Sequence, residues 1–298
     1  MKVKPIRFAA SVLAGLLAVS LTACGADDSD TGDSGSGTPA GADAAVRATL
    51  PADFVKGGTF KVALFENAPP DAYHEGDQIV GWQADMAREV GKVFGVKTEI
   101  VPSANFDSLI PGLQAKRFDA SFSSFYITPE RLKVADFATV GSVGTGFGTA
   151  AGSGLSIDET TDLCGTSAAT LAGSTFINQL KTISGQCQAA EAKPIQVQTY
   201  PNNSDGVLAV GTGRAQVFVT SSNELAALIT QSNGKVRAGR LIYEKQQLAE
   251  AFVKGSPLAP AAVAALNVLI KNGTYAKILD KYGVSTAAIE ASQLNPTS

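Results

Sequence analysis

From Thr59 to about residue 282, strand-like and helix-like segments alternate, and this alternation restricts the possible folds more than any other feature of the chain. TFKVALF (59–65) reads as a strand. GWQADMAREVGKVFG (81–95) sets Trp82, Met86, Val90 and Val93 or Phe94 on one helical face, with Gly95 as its stop. KTEIV is a strand, FDSLIPGLQAK a short helix with Leu109, Ile110 and Leu113 inward, and FDASFSS a strand again. After a glycine-rich stretch, VGSVGTGFGTAAGSG (140–154), the pattern restarts. CGTSAATLA, IQVQTY and QVFVT read as strands, STFINQLKTIS and SDGVLAVGTG as helices, and Ser222 as the cap of the helix NELAALIT. LIYEKQQLAEAFVK and two helices, PAAVAALNVLIKNG and TYAKILDKYG, complete the chain. Alternation of this kind predicts a mainly parallel α/β sheet. The glycine-rich stretch is expected to be a joint between two halves. The third segment is expected to return to the first half, so that the chain crosses twice.

The N-terminus reads differently. MKVKPIR is basic, and Phe8 to Leu21 carries no charge, the length of a secretory apolar region and too short for the roughly 20 residues of a membrane span. It runs into Leu21-Thr22-Ala23-Cys24-Gly25, the pattern of a bacterial lipoprotein signal. Residues 1–23 are therefore expected to be removed, and Cys24 to carry diacyl lipid, palmitate included. Residues 24–57 are expected to be a flexible tether, because Gly25 to about Leu50 is mostly Gly, Ser, Asp, Thr and Ala without an aromatic. Cys164 and Cys187 remain, and export to an oxidising space predicts a disulfide between them. A buried unpaired duo is the alternative. The formal charge of −3 argues against a nucleic-acid partner.

Ligands of open α/β sheets gather at the carboxyl ends of strands. Three such ends are polar here. In SSFYITPER (123–131), Thr128 is a helix cap and Pro129 the first helical residue. Arg131 then lies in the first turn, where the helix dipole disfavours a cation. Its guanidinium is either the fork for an anion or half of an ion pair with Asp136. Gly173-Ser174-Thr175 is a strand-to-helix turn with free amides and two hydroxyls. Thr220, Ser221 and Ser222 end QVFVT. The glycines of 141–148 match no phosphate-binding motif. His74 is the one histidine, so no Ser-His or Cys-His pair has a choice of positions, and no metal set stands out. No cofactor is expected.

At this point the chain resembles the family 3 extracellular solute-binding proteins, the polar amino acid receptors of ABC importers, over about residues 58–284. The matching segments are IVGWQADMAREVGKVFG, FDSLIPGLQAKRFDA, SSFYITPERLKVADF, DLCGTSAATLAGSTF, AVGTGRAQVFV and NGTYAKILDKYG. The resemblance implies a type II periplasmic-binding-protein-like fold. Two lobes, 58–144 with 245–298 and 145–244, would be joined by two hinge crossings around a ligand cleft. It also implies that Arg131 clamps a ligand carboxylate together with Ser124 and the turn Ser174-Thr175. Phe106 and the loop from Phe65 to Tyr73, Glu66 included, would line the side-chain pocket, with Tyr126 or Phe125 walling the cleft. One departure matters. Many family members carry an aspartate after the GR-x-D-A strand that takes the ligand's α-ammonium. Here the strand reads GRAQVFVTSSNEL, so Gln216 replaces the usual interior Asp, and Thr220-Ser221 stand where the ammonium partner is expected. Glu66, Asp71, Asp85 or Glu224 would have to serve instead, or the ligand lacks a free α-amino group. By this resemblance the chain is a monomeric binding subunit without catalysis. It would be lipid-anchored on the extracellular face of the membrane and deliver a small polar solute, an amino acid or derivative, to permease subunits. A sensory receptor subunit and a dehydratase-like enzyme on the same fold are the alternatives.

Overall fold

The computed structural model describes residues 40–296. The expected signal peptide, Cys24 with its expected lipid, and the first part of the expected tether lie outside them. Strands are β1 (Thr59–Phe65), β2 (Tyr73–Glu75), β3 (Gln78–Val80), β4 (Lys97–Ser103), β5 (Ala120–Tyr126), β6 (Ala135–Ala150), β7 (Ser167–Leu171), β8 (Gln196–Tyr200), β9 (Val217–Ser221) and β10 (Val236–Val253). Helices are α1 (Ala44–Arg47), α2 (Ala52–Gly57), α3 (Trp82–Phe94), α4 (Leu109–Gln114), α5 (Pro129–Leu132), α6 (Phe176–Ala189), α7 (Asn203–Gly211), α8 (Ser222–Gln231), α9 (Leu258–Lys271) and α10 (Thr274–Lys281).

Eight strands form one sheet in the order β4-β1-β5-β10-β6-β9-β7-β8, and β2-β3 is a separate hairpin. The parallel trios β4-β1-β5 and β9-β7-β8 lie on either side of two long antiparallel strands. Those two, β6 and β10, belong to both halves. The first part of β6 pairs with the end of β10, which also pairs with β5, whereas residues 145–149 of β6 pair with β9. Register shifts in β10 cluster between Ala238 and Gln246, near the passage from one half to the other. The last segment does return to the first half: β10 docks on β5 and α9 packs on α3.

The glycine-rich stretch is a strand and not a loop. The reason is close packing. A Cβ on Gly146 would stand 2.8 Å from Leu225 Cδ2, one on Gly148 2.9 Å from Leu225 Cδ1, and one on Gly144 would run into Ile242. Glycine lets α8 lie directly on β6. The cap of α8 is Ser221, one residue before the expected Ser222, and its hydroxyl accepts from the Glu224 amide at 3.2 Å. The tether reading also needs correction at its end, since residues 44–57 form α1 and α2. Val46 and Leu50 are 4% and 8% exposed, and Arg47 Nη1 donates to the carbonyls of Phe94 and Gly95 at the end of α3. The aliphatic pair and the arginine cap a helix end that is otherwise short of donors. Cys164, ahead of β7, and Cys187, near the end of α6, form a disulfide with Cα atoms 5.6 Å apart, as expected.

Candidate functional site

The floor of the site is the end of β5. Ser123 and Ser124 follow two buried residues, and Ser124 adopts φ +52°, a left-handed conformation uncommon outside glycine. Thr128 caps α5 and accepts from the Arg131 amide at 3.2 Å, with Pro129 at the first helical position. Arg131 is thereby turned back over the strand end. Its Nη1 donates to the Tyr126 carbonyl at 2.8 Å and its Nη2 to the Gly173 carbonyl at 3.0 Å, the latter on the opposite half. Its guanidinium carbon lies 5.4 Å from the Phe125 ring centre and 5.7 Å from that of Phe106. Burial pushes its pKa down to about 10. Among the described residues no carboxylate lies within 4.0 Å of it. Asp136, the alternative partner, is held by Lys254 Nζ at 2.7 Å, the Gly255 amide at 2.7 Å and Asn295 Nδ2 at 2.9 Å. The ion pair with Asp136 does not form.

Two carboxylates, the buried Asp71 and the half-buried Glu224, share the cavity with Arg131. Asp71 accepts from Trp82 Nε1 at 2.7 Å through one oxygen and from the Ser124 hydroxyl through the other. Burial first, and the neighbouring Glu224 second, push its pKa up to about 7. Glu224 accepts from Thr220 Oγ1 at 2.6 Å, Ser221 Oγ at 3.0 Å and Asn203 Nδ2 at 3.3 Å, and burial raises its pKa as well. The cavity is about 40 Å³, room for roughly three waters. Tyr126 and Phe176 close it edge to face, with centroids 5.5 Å apart. The Tyr126 hydroxyl is buried without a hydrogen-bond partner among the described residues.

Of the residues singled out in the sequence, Arg131, Ser124, Tyr126, Ser174, Thr175, Phe106 and Ser221 all line this cavity. The Ser174 hydroxyl is engaged by the Leu171 carbonyl at 2.7 Å, and Ser221 serves Glu224, so neither is a free donor. Phe125 stands behind Arg131, and Tyr126 is the wall. Glu66 is not part of the lining: it pairs with His74 Nε2 at 2.8 Å. Asp85 faces Arg88, Lys281 and Tyr282 on the outer side of α3. Gln216 braces β7 by accepting from the Ser167 amide at 3.1 Å. Of the four acids left open by the sequence, the structure brings Asp71 and Glu224 together at the cavity. Phe65, at the start of the loop expected to line the pocket, lines it too, and so do Leu171, Phe176 and Leu248, which were not singled out, since an apolar residue carries no polar signal.

Known proteins with this architecture are numerous. An arginine-binding protein of Corynebacterium glutamicum is 26% identical over 255 residues, which cover 84% of this chain and 82% of that protein. Among solved structures, an ancestral arginine-binding protein bound to arginine superimposes with a TM-score of 0.68. It is 29% identical, covering 76% of this chain and 98% of that one. An ancestral amino acid-binding protein, a precursor of cyclohexadienyl dehydratase, matches with the same TM-score at 28% identity, over 77% of this chain and 97% of that one. These are two-lobe binding proteins, and the fold described above is theirs. A family model matches residues 60–285, and the chain belongs to the bacterial extracellular solute-binding proteins, family 3.

Proposed function

We propose that this chain is the substrate-binding subunit of an ABC importer and that its ligand is an amino acid carrying a second positive charge. One observation carries the ligand class: a single guanidinium and two carboxylates line the same cavity. Arg131, whose fork meets only backbone carbonyls, takes the α-carboxylate bidentately. Glu224, set on the second half by Thr220 and Ser221, takes the α-ammonium in place of the usual aspartate. Asp71, on the first half, takes the side-chain cation. The names of the arginine-binding relatives agree with this charge pattern.

The lobes are 58–144 with 245–298, and 145–244, with β6 and β10 as the crossings. Arg131 reaches across the cleft to the Gly173 carbonyl, so capture follows a hinge opening and closing. Diacyl lipid at Cys24 holds the subunit at the extracellular face of the membrane, where the closed form meets the permease. No catalysis is involved. His74, the chain's one histidine, is committed to Glu66 outside the cavity.

Isothermal titration of the mature protein with L-arginine, L-lysine, L-glutamine and L-glutamate tests the reading. The basic amino acids are expected to bind and glutamate is not. Arg131→Met and Arg131→Lys are each expected to weaken binding by roughly 30-fold to several-thousand-fold, the 2–5 kcal/mol typical of stranding one member of a desolvated pair. Lysine should rescue little, because a point charge cannot make two parallel bonds. Tight glutamate binding, or full affinity in Arg131→Met, refutes the assignment.

A further inference from the structure

Beneath the floor of the cleft lies a third carboxyl, Glu250 on β10, 0% exposed. Neither of its oxygens has a hydrogen bond of acceptable geometry, and the same holds for Gln83 Oε1 close by. The groups that face it are the Gln83 side chain from α3 and the amides of Ser123 and Ser124 from β5, with the Asp71 carboxyl beyond them. Arginine and lysine are not among its neighbours within 4.0 Å in the described residues. An isolated carboxylate in such a place is costly, and burial together with Asp71 drives the group toward its neutral form.

The strand register explains its position. Ala249 pairs with Phe125 and Ala251 with Ser121, so Glu250 alone stands opposite Phe122, Ser123 and Ser124. The β5 chain bulges there, and its last bulged residue is Ser124, in the left-handed conformation. From that conformation the Ser124 hydroxyl donates to Asp71 and accepts from Gln83 Nε2 at 2.7 Å. A bulge leaves amides without ladder partners, and Glu250 is the β10 residue that stands opposite it.

We propose that Glu250 is a positioning residue of the ligand cleft: set opposite the Ser123 and Ser124 amides and beside Gln83, it holds the bulge that aims the Ser124 hydroxyl at Asp71. It never touches the ligand, and its consequence for capture rests on the reading of the cavity as the ligand site. The chain's one tryptophan, Trp82, donates directly to Asp71, so its fluorescence reports the ionisation of Asp71 with no ligand present. Glu224, Glu250 and Tyr126 are the titratable groups that face Asp71, and Arg131 lines the same cavity.

The experiment is a pH titration of Trp82 fluorescence in wild type, Glu250→Gln, Glu250→Met and Glu250→Asp, followed by calorimetry with L-arginine. Glutamine keeps a neutral oxygen at the amides and should titrate like wild type. Methionine removes it, and aspartate withdraws it by one methylene. Both should move the midpoint upward by roughly one pH unit, because Asp71 loses a hydroxyl that favours its ionised form. Arginine affinity at pH 7 should fall by about tenfold in the same two variants. If the methionine variant does not fold, the aspartate variant decides. Met and Asp titrations that superimpose on wild type overturn the proposal, as does a Gln variant that shifts as Met does. Should L-arginine bind none of the four proteins, the ligand assignment fails while the titration still decides on Glu250.

Discussion

Asp71→Asn separates what the cleft costs the fold from what it contributes to binding. Asp71 is 6% exposed, and its pKa is pushed from 3.8 to about 7. Below pH about 4 the carboxyl is neutral in the folded and the unfolded chain alike. As pH rises toward 7 the unfolded chain releases this proton and the folded chain keeps it, so stability falls across that window. At about 1.4 kcal/mol per unit, the loss is at most about 4 kcal/mol by neutral pH. Asparagine carries no such cost. Without ligand, Asp71→Asn should melt above wild type at pH 7.5, by on the order of 10 °C for the full effect, and the two should converge near pH 4. With L-arginine the order reverses. Ionised Asp71 is the ligand's counter-charge, so affinity in wild type should rise from pH 5 to 7.5 and be weakened at least 30-fold in the variant. Thermal melts from pH 4 to 8, with and without L-arginine, read both halves. A variant that is less stable than wild type at pH 7.5 without ligand would refute the burial argument, and one with unchanged affinity would remove Asp71 from the ligand's contacts.

Two further outcomes follow from the frame that holds the cleft. Replacing Cys164 and Cys187 by serine should cost roughly 3 kcal/mol, since the bond closes a loop over 23 positions; melting with and without reductant checks it. Leu50→Ala should cost about 2–3 kcal/mol, because α1 and α2 pack on the core although they precede the first strand. A protein beginning at residue 58 that melts like the full chain would remove that conclusion.

The alternation of elements was legible because burial imposes it. Parallel strands covered on both faces read as short apolar runs, and α3 carries its inward residues at helical spacing up to a left-handed Gly95. The form of the glycine-rich joint was hidden for a physical reason. In one sequence a glycine-rich run is equally a loop or a strand pressed against something large, and only Leu225 and Ile242, some 80 to 100 residues away, decide between them. Likewise α1 and α2 are too short to stand alone, and only docking on α3 and α9 orders them. Local composition held no trace of that contact.

The site divides along the same line. Arg131 could be read because its position opposes a local rule: a cation in the first turn of a helix needs another reason to be there. Asp71 and Glu224 obey local rules. One sits in a polar loop and the other in the first turn of α8, where an acid is favoured anyway, so neither announces a ligand. What marks them is a property of the assembled molecule, two acids in one cavity, each satisfied by hydroxyls, an amide or an indole and neither by a cation. Hydrogen bonds from neutral donors orient a carboxylate without neutralising it. The negative charge therefore remains available to whatever enters beside Arg131. On the proposed reading the charge is relocated from the strand tip at Thr220-Ser221 to Glu224, in the first turn of α8 and three residues beyond the cap at Ser221. Ser221, which marks the strand tip in the sequence, is the residue that makes the relocation work, by fixing Glu224 at its hydroxyl and its amide alike.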